Sequence, residues 1–533
     1  MRRLQIILSH LLYAVFFHPT CRKAALFVIG TLVCNASLYA SDAETIGLTA
    51  LRRERPALTG LGIPVAQAEA LETTNAWEVN PVLNSNLSFS WTSDQGTATN
   101  FPNSVGIESG HANGVGAAFY GAGGGVAPGV SRVDNYDADY FLNTVVMGKQ
   151  AITAQVVNQS FIIQDFPSTT IDPFYDSYAI KYNVLFVSGI ANVPDPLYAP
   201  GTAYNGIQVG IISTNVQSSI GPTSDGRAKP DLVAPHFCCS SFSTPLVSGA
   251  AAVLLQAAAA NDGGAGTASL ATNSATIKAL LLNGAVKTTN WTNGVTRPLD
   301  ARYGAGVLNI YNSDLQVRGG RQAAIAMNNV SLNAAHPPTA AAGSEASLRG
   351  WDFSSIQSTP LNDRVAHYYF NLPTNDAAYT ATATLVWKNN LGLLTNLALT
   401  NLDLFLYETR SNTLVMQSTS VVDNVEHIFV PKLAAGRYDL QVLKHGGVGQ
   451  SGVENYALAF DFSPLTLTST RSGSNVVIAW PASPAGFTLQ AASSLETGIF
   501  WQSVTNEPVL SNAMNTVTLP ASASAEFFRL FRQ

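Results

Sequence analysis

The sequence predicts an α/β fold, a largely parallel sheet flanked by helices, followed by all-β accessory domains. Three observations carry this. Between Gly62 and about Asn312, apolar stretches of strand length alternate with small-residue helical stretches, the order that builds a parallel sheet covered on both faces. A polar, Pro/Gly/Ala-rich stretch, AAHPPTAAAGSEAS from Ala334 to Ser347, then breaks the pattern. Beyond it, short segments such as ATATLVW, NLDLFLYE, HIFVPKL, GRYDLQVLKH and NYALAFDF alternate in a two-residue period between Asn, Asp and Gly turns, as antiparallel strands do.

Composition sets the limits. A chain of 533 residues with 46% hydrophobic and only 12% charged side chains fills several cores and is not disordered. The net charge is −6, with no Lys/Arg block beyond the N-terminal stretch, so nucleic acid is not an expected partner. Arg22 and Lys23 precede the apolar run AALFVIGTLVCNASLYA, which ends in small residues before SDAE, the layout of a secretory signal cleaved near Ala40. The mature protein is therefore expected to be secreted or cell-envelope-associated. An earlier apolar stretch, LQIILSHLLYAVFF, leaves open a later start or an uncleaved double anchor. No later run of about 20 apolar residues predicts a membrane span. Of the four cysteines, Cys21 and Cys34 fall in the leader and Cys238 and Cys239 are adjacent, so no long-range disulfide framework is expected.

The strongest functional signal is DGRAKPDLVAP, Asp225 to Pro235, running almost directly into SSFSTPLVSGAAAVLLQAAAA from Ser240 to Ala260. A serine at the start of a long helix lies beside free backbone N–H groups and the positive end of the helix dipole, where charge on an attacked carbonyl oxygen is stabilised. Ser241 holds that place. Pro245 is tolerated in the early turns, and Ser248 to Ala252 are small enough for close packing. A buried Ala-rich helix with a serine cap is the alternative reading.

These blocks closely resemble the subtilisin-like (S8) serine peptidases, and the resemblance implies a triad in the chain order acid, His, Ser. GHANGVGAAFYG is similar to the family's histidine helix, and GVAPGV, Gly125 to Val130, follows it as the family's G-V-A-P block does. His111 then becomes the general base. TGLGIPVAQAEA, Thr59 to Ala70, resembles the family's first strand, with Glu69 where the family has Asp. Glutamate carries the same charge on one more methylene and can still fix the imidazole tautomer if its backbone is set back; Glu72 and Asp94 are the other carboxylates at hand. NVLFVSGIANVP places Asn192 at the family's oxyanion asparagine. AQVVNQSFII resembles the strand whose end binds an extended peptide, making Ser160, Phe161 and Ile162 the substrate-binding candidates. PGTAYNGIQVG and the closing YGAGVLNIYNS also follow the family order.

The departures are specific. Only HFCCS separates Pro235 from Ser241, with Cys239 and Ser240 where the family carries Gly-Thr. A non-glycine residue forced to positive φ there costs roughly 1 kcal/mol or more. Cys238 and Cys239 read as free thiols or as a strained vicinal disulfide; with His236 they offer too little spread for a tetrahedral metal. The resemblance admits structural calcium, but no loop shows an oxygen-ligand spacing and no cofactor is required. There is no room between the leader and the Glu69 strand for the family's folding propeptide.

The expected organisation is a signal peptide over 1–40, a subtilisin-like peptidase domain over 41–315, a linker over 316–349, a β-sandwich similar to pre-peptidase C-terminal modules over 350–464, and a small β module over 465–533. Trp480 and Trp501 in the last module serve either a carbohydrate or substrate surface or, as is more common, a core. The expected activity is serine endopeptidase hydrolysis of a protein or peptide substrate, with an extracellular surface ligand for the β modules. Two other readings remain: an inactive peptidase fold serving as a binding or adhesion scaffold, and hydrolysis of a non-peptide acyl substrate.

Overall fold

The computed structural model describes residues 42–531 apart from 215, 339–343, 375–377, 391–398, 483–486, 496–499, 512–513 and 523–524. The expected leader, with Cys21, Cys34 and the cleavage point near Ala40, lies outside the described residues.

The first unit is built on β1 (Pro64–Glu69), β3 (Ser88–Ser93), β4 (Gly96–Ala98), β6 (Arg132–Asp137), β7 (Val156–Gln159), β8 (Leu185–Gly189), β9 (Ile207–Ile212) and β10 (Leu232–Pro235), with β2 (Ala76–Glu78) and β5 (Ile107–Glu108) as a separate parallel pair. The large sheet runs β10-β9-β8-β7-β1-β6-β3-β4. Every pairing in it is parallel except β3 with β4. β1 lies where the winding reverses, with β6 on one side and β7 on the other. In such sheets the crevice for a ligand opens at the carboxyl ends of the strands beside this point. The register Glu69 to Asp137 and Ala68 to Gln159 brings three of those ends level.

The main helices are α1 (Leu48–Glu54), α2 (Gly110–Tyr120), α3 (Ser168–Tyr182), α4 (Ser240–Ala259), α5 (Ser274–Gly284) and α6 (Ile310–Arg318). α4 packs against α2 and against β7, β8 and β9, and small residues make that approach close. A Cβ on Gly249 would stand 2.5 Å from Val126 Cβ in the G-V-A-P turn. α4 is long and apolar enough to cross a membrane, but its most apolar window is 83% buried inside the protein, as a core helix is.

DGRAKPDLVAP is scaffold. Lys229 Nζ lies 3.2 Å from Asp231 Oδ2, and Lys278 Nζ of α5 reaches the same oxygen at 3.3 Å, all three side chains buried. The segment thereby pins β10 to α5.

The C-terminal part is antiparallel β, as expected. β11 (Ala326–Ser331), β13 (Asn362–Leu372), β15 (Leu402–Glu408), β16 (Thr413–Ser418) and β18 (Gly436–Lys444) form one sheet; β12 (Arg349–Ser358), β14 (Tyr379–Trp387), β17 (Val425–Leu433) and β19 (Gly452–Pro464) form another. Alternate residues of both, among them Tyr368, Leu385, Leu404, Leu440 and Phe460, meet in one core. The expected linker over 316–349 is not one connection: α6 runs to Arg318, and β11 pairs with β13. β11 was illegible because AMNNVS is an edge strand with no buried position, leaving little hydrophobic period to read.

Nor is the second of these sheets, β12-β19-β14-β17, separate from the α/β unit. Every residue of α5 is buried, and α5 packs on β14 and β19. Thr382 and Thr384 hydroxyls both donate to Asn283 Oδ1 at 3.0 Å. Ala228 N–H donates to Asp423 Oδ1 at 2.8 Å. The last module is a small pair of antiparallel sheets. Trp480 is buried in its core, and Trp501 is half-buried with the Arg529 guanidinium 4.5 Å from its ring. Trp480 is therefore a core residue and offers no ligand surface.

Candidate active site

Glu69, the last residue of β1, is buried and points to the same side of the strand as Gln67, two residues earlier. Gln67 Nε2 donates to Glu69 Oε1 at 2.8 Å and to Ala112 O at 2.9 Å, while Tyr120 OH donates to Gln67 Oε1 at 2.5 Å. The other Glu69 oxygen, Oε2, lies 2.8 Å from His111 Nδ1. The extra methylene is thus taken up by a network of side chains that fixes both carboxylate oxygens.

His111 sits in the first turn of α2. The helix is capped by Ser109, whose hydroxyl accepts from Ala112 N–H at 3.1 Å and donates to Glu72 Oε2 at 2.7 Å. Glu72 Oε2 also accepts from the His111 N–H at 3.2 Å. Glu72 therefore holds the start of α2 and leaves the imidazole to Glu69. Burial opposes protonation of His111, but the adjoining Glu69 carboxylate, with help from Glu72, keeps its pKa above the ordinary histidine value. Asp94, the third carboxylate considered, is exposed.

His111 Nε2 is buried and has no hydrogen-bond partner among the described residues. With Nδ1 turned to a carboxylate, Nε2 is the nitrogen left to work as a base.

Ser241 is the second residue of α4 and is 6% exposed. Its Oγ stands 3.5 Å from Ser160 O, and its own carbonyl accepts from Ser160 Oγ at 2.7 Å. It makes no hydrogen bond to His111, whose Nε2 is unpartnered; catalytic hydrogen bonds of this kind tighten in the substrate complex. Phe242, the next residue, packs its ring 5.5 Å from the His111 ring, where a Cβ on Gly114 would be 2.6 Å from Phe242 Cε1. The glycine of HANG is what lets the serine helix reach the histidine helix.

Asn192 follows β8. Its Oδ1 accepts from the Ser240 N–H at 2.9 Å, which ties it to the residue before Ser241 and leaves its amide N–H groups as donors. Ala191 beside it has φ 87°, a conformation that costs a non-glycine residue about 1–3 kcal/mol and persists only where the surroundings impose it. The nucleophile turn itself is relaxed. Cys239 has φ −165° and ψ 166°, extended backbone open to any residue, so the loss of the family's glycine imposes no strain here.

Of the substrate-binding candidates, Ser160 follows β7 and is committed to Ser241, and Ile162 is half-buried. Phe161 differs from expectation: its side chain is buried in the core cluster that also holds Tyr175 and Phe186, so only its backbone is left for a peptide. Among the described residues no three His, Cys, Asp or Glu side chains converge as a metal site.

The residues 80–306 match the model of the subtilase family. This part of the chain belongs to that family. The matched stretch contains His111, Asn192 and Ser241 and begins after Glu69. The subtilase domain is similar to the patellamide maturation protease PatA at 19% identity and TM-score 0.36, covering 49% of this chain and 98% of that one. A cold-adapted subtilisin-like serine proteinase matches at 17% and 0.33, covering 47% and 89%. The serine protease of Aeromonas sobria matches at 12% and 0.36, covering 87% and 88%. None of the curated proteins compared matches the chain.

Proposed function

We propose that the protein is an exported serine endopeptidase whose triad is Glu69, His111 and Ser241. The subtilase domain implies a protein or peptide substrate. The observation that carries the assignment of roles is the buried Glu69–His111 contact of 2.8 Å with His111 Nε2 left unpartnered.

In this reading His111 Nε2 takes the Ser241 proton as Oγ attacks the carbonyl carbon, and later gives it to the leaving amine. Glu69 holds the imidazole in the tautomer protonated at Nδ1 and stabilises the imidazolium. The Asn192 amide and the Ser241 N–H, at the positive end of α4, bind the developing oxyanion. An extended peptide lies along the backbone at Ser160 to Ile162. No cofactor takes part, and the antiparallel units serve as accessory modules that offer surface to an extracellular ligand.

Hydrolysis of an unfolded protein substrate by the purified chain, set beside Ser241→Ala, tests the activity. Cleavage within the substrate chain that disappears in Ser241→Ala is expected. Equal cleavage by both proteins, or none by the folded parent, would favour a binding scaffold. Cleavage of simple esters alone would favour a non-peptide acyl substrate.

A further inference from the structure

The two cysteines before the nucleophile have no part in that mechanism. Cys238 Sγ and Cys239 Sγ are both free thiols and lie 3.3 Å apart. A disulfide needs about 2.05 Å, so the sulfurs have only about an ångström to close. Cys238 is half-buried and reachable; Cys239 is buried.

Their surroundings differ in a way that suits thiol exchange. The hydrogen bond with Cys239 favours the Cys238 thiolate, burial works against it, and His111 assists, with a net lowering; the Cys239 thiol is shifted the opposite way. Cys238 N–H is held by His236 Nδ1 at 3.2 Å, which fixes the turn.

Cys239 is also the residue before α4. It makes no capping hydrogen bond, yet the Ser241 hydroxyl and amide stand close enough to its sulfur to favour its thiolate. These are the attacking group and an oxyanion donor. Adjacent Cα atoms are about 3.8 Å apart, below the usual 4.4 to 6.8 Å span of a disulfide of about ideal geometry. A bond between neighbours is therefore strained and easily reduced, as labile rather than structural disulfides are.

We infer that Cys238 and Cys239 form a reversible modification site at which a low-molecular-weight disulfide closes a vicinal disulfide and suppresses Ser241. The Cys238 thiolate attacks the oxidant's S–S bond, forming a mixed disulfide and releasing one thiol. Cys239 then attacks Cys238 Sγ and releases the second. The protein loses two protons and two electrons; the oxidant becomes two thiols. The new ring pulls Cys239 Sγ towards Cys238, removes it from Ser241 and twists the turn that positions the Ser241 amide.

The effect on Ser241 rests on its role as nucleophile; formation of the bond does not, and the two are read separately. The purified protein is equilibrated with oxidised and reduced glutathione at graded ratios. Peptide mass mapping reads the cysteines, and the rate of fluorophosphonate labelling reads Ser241. The expected result is a loss of two hydrogens on the peptide carrying both cysteines, with labelling slowed about tenfold or more and restored by dithiothreitol. Cys238→Ser should show no change with oxidant. A lasting glutathione adduct on either cysteine, thiols that stay free at oxidising ratios, or a closed disulfide with unchanged labelling overturns the inference. If the reduced protein does not label at all, the role of Ser241 fails, and with it the claimed effect, while the mass map still decides whether the bond forms.

Discussion

Gln67 Nε2 donates to Glu69 Oε1 at 2.8 Å, and both residues stand on one face of β1 at its buried end. In the proposed triad, this pair holds the longer glutamate side chain in place at the position where the resemblance expects aspartate. One oxygen is tied to Gln67, so the other can meet His111 Nδ1 at 2.8 Å without a mobile side chain.

Shortening the acid should therefore harm the enzyme, although it restores the family residue. Glu69→Asp is expected to lower kcat/KM by about 100-fold, the scale of a misplacement of about 1 Å in a catalytic group. Glu69→Gln should lower kcat by about 10⁴-fold by favouring the wrong imidazole tautomer. Steady-state kinetics on a peptide substrate distinguish these. An active Glu69→Asp enzyme would mean that the backbone at β1 adapts freely.

Gln67→Leu keeps the approximate volume but leaves Glu69 Oε1, Tyr120 OH and Ala112 O without their partner. Stranded buried polar groups cost about 1–3 kcal/mol each in the field's range, so unfolding in urea should shift measurably to lower denaturant. Activity should fall as well, mainly in kcat, because the Glu69 carboxylate is then free to rotate.

The pH dependence follows from His111, whose pKa is held above its ordinary value against the effect of burial. Catalysis needs the neutral imidazole, so kcat/KM should rise through a pKa above about 6.5, the unperturbed histidine value. Stability runs the other way. A raised folded-state pKa contributes stability that is fully present below about 6.5 and is lost as pH rises through the folded value. Glu72→Gln removes one of the negative charges near the ring and should move the acid limb of the activity profile downward; an unmoved limb would show that Glu72 acts only on the start of α2.

Gly114→Ala places a methyl 2.6 Å from Phe242 Cε1. Overpacking of this kind costs about 1–3 kcal/mol, and here it also separates the histidine and serine helices. The variant should lose stability and label at Ser241 more slowly. Adding Phe242→Leu should recover both, since it removes the obstructing ring.

Much of this site was legible because its residues sit at element ends that sequence period and small residues mark. Glu69 closes an apolar strand, His111 opens a small-residue helix, and Ser241 opens another. What could not be read were interactions between segments distant in sequence. Gln67 carried a faint signal, an amide in the middle of a buried strand, which demands a partner but does not name it. Glu72 was legible as a carboxylate near the site, but its attachment to the α2 backbone depends on the path of the chain between β1 and β2. The motif DGRAKPDLVAP is the strongest functional signal in the sequence, whereas its Lys229 and Asp231 serve a buried ion cluster with Lys278 and its Arg227 pairs with Asp172 and Asp225. Phe161 was assigned by register to the substrate edge, but it lies two residues beyond the end of β7 and its side chain is buried in the core instead.

The most direct test is mass-spectrometric mapping of fluorophosphonate labelling on the purified protein, with Ser241→Ala and Glu69→Ala alongside. Labelling confined to Ser241, absent in Ser241→Ala and strongly reduced in Glu69→Ala, is what the Glu69–His111–Ser241 triad predicts. A folded protein that does not label, or one that labels equally well without Glu69, would contradict it.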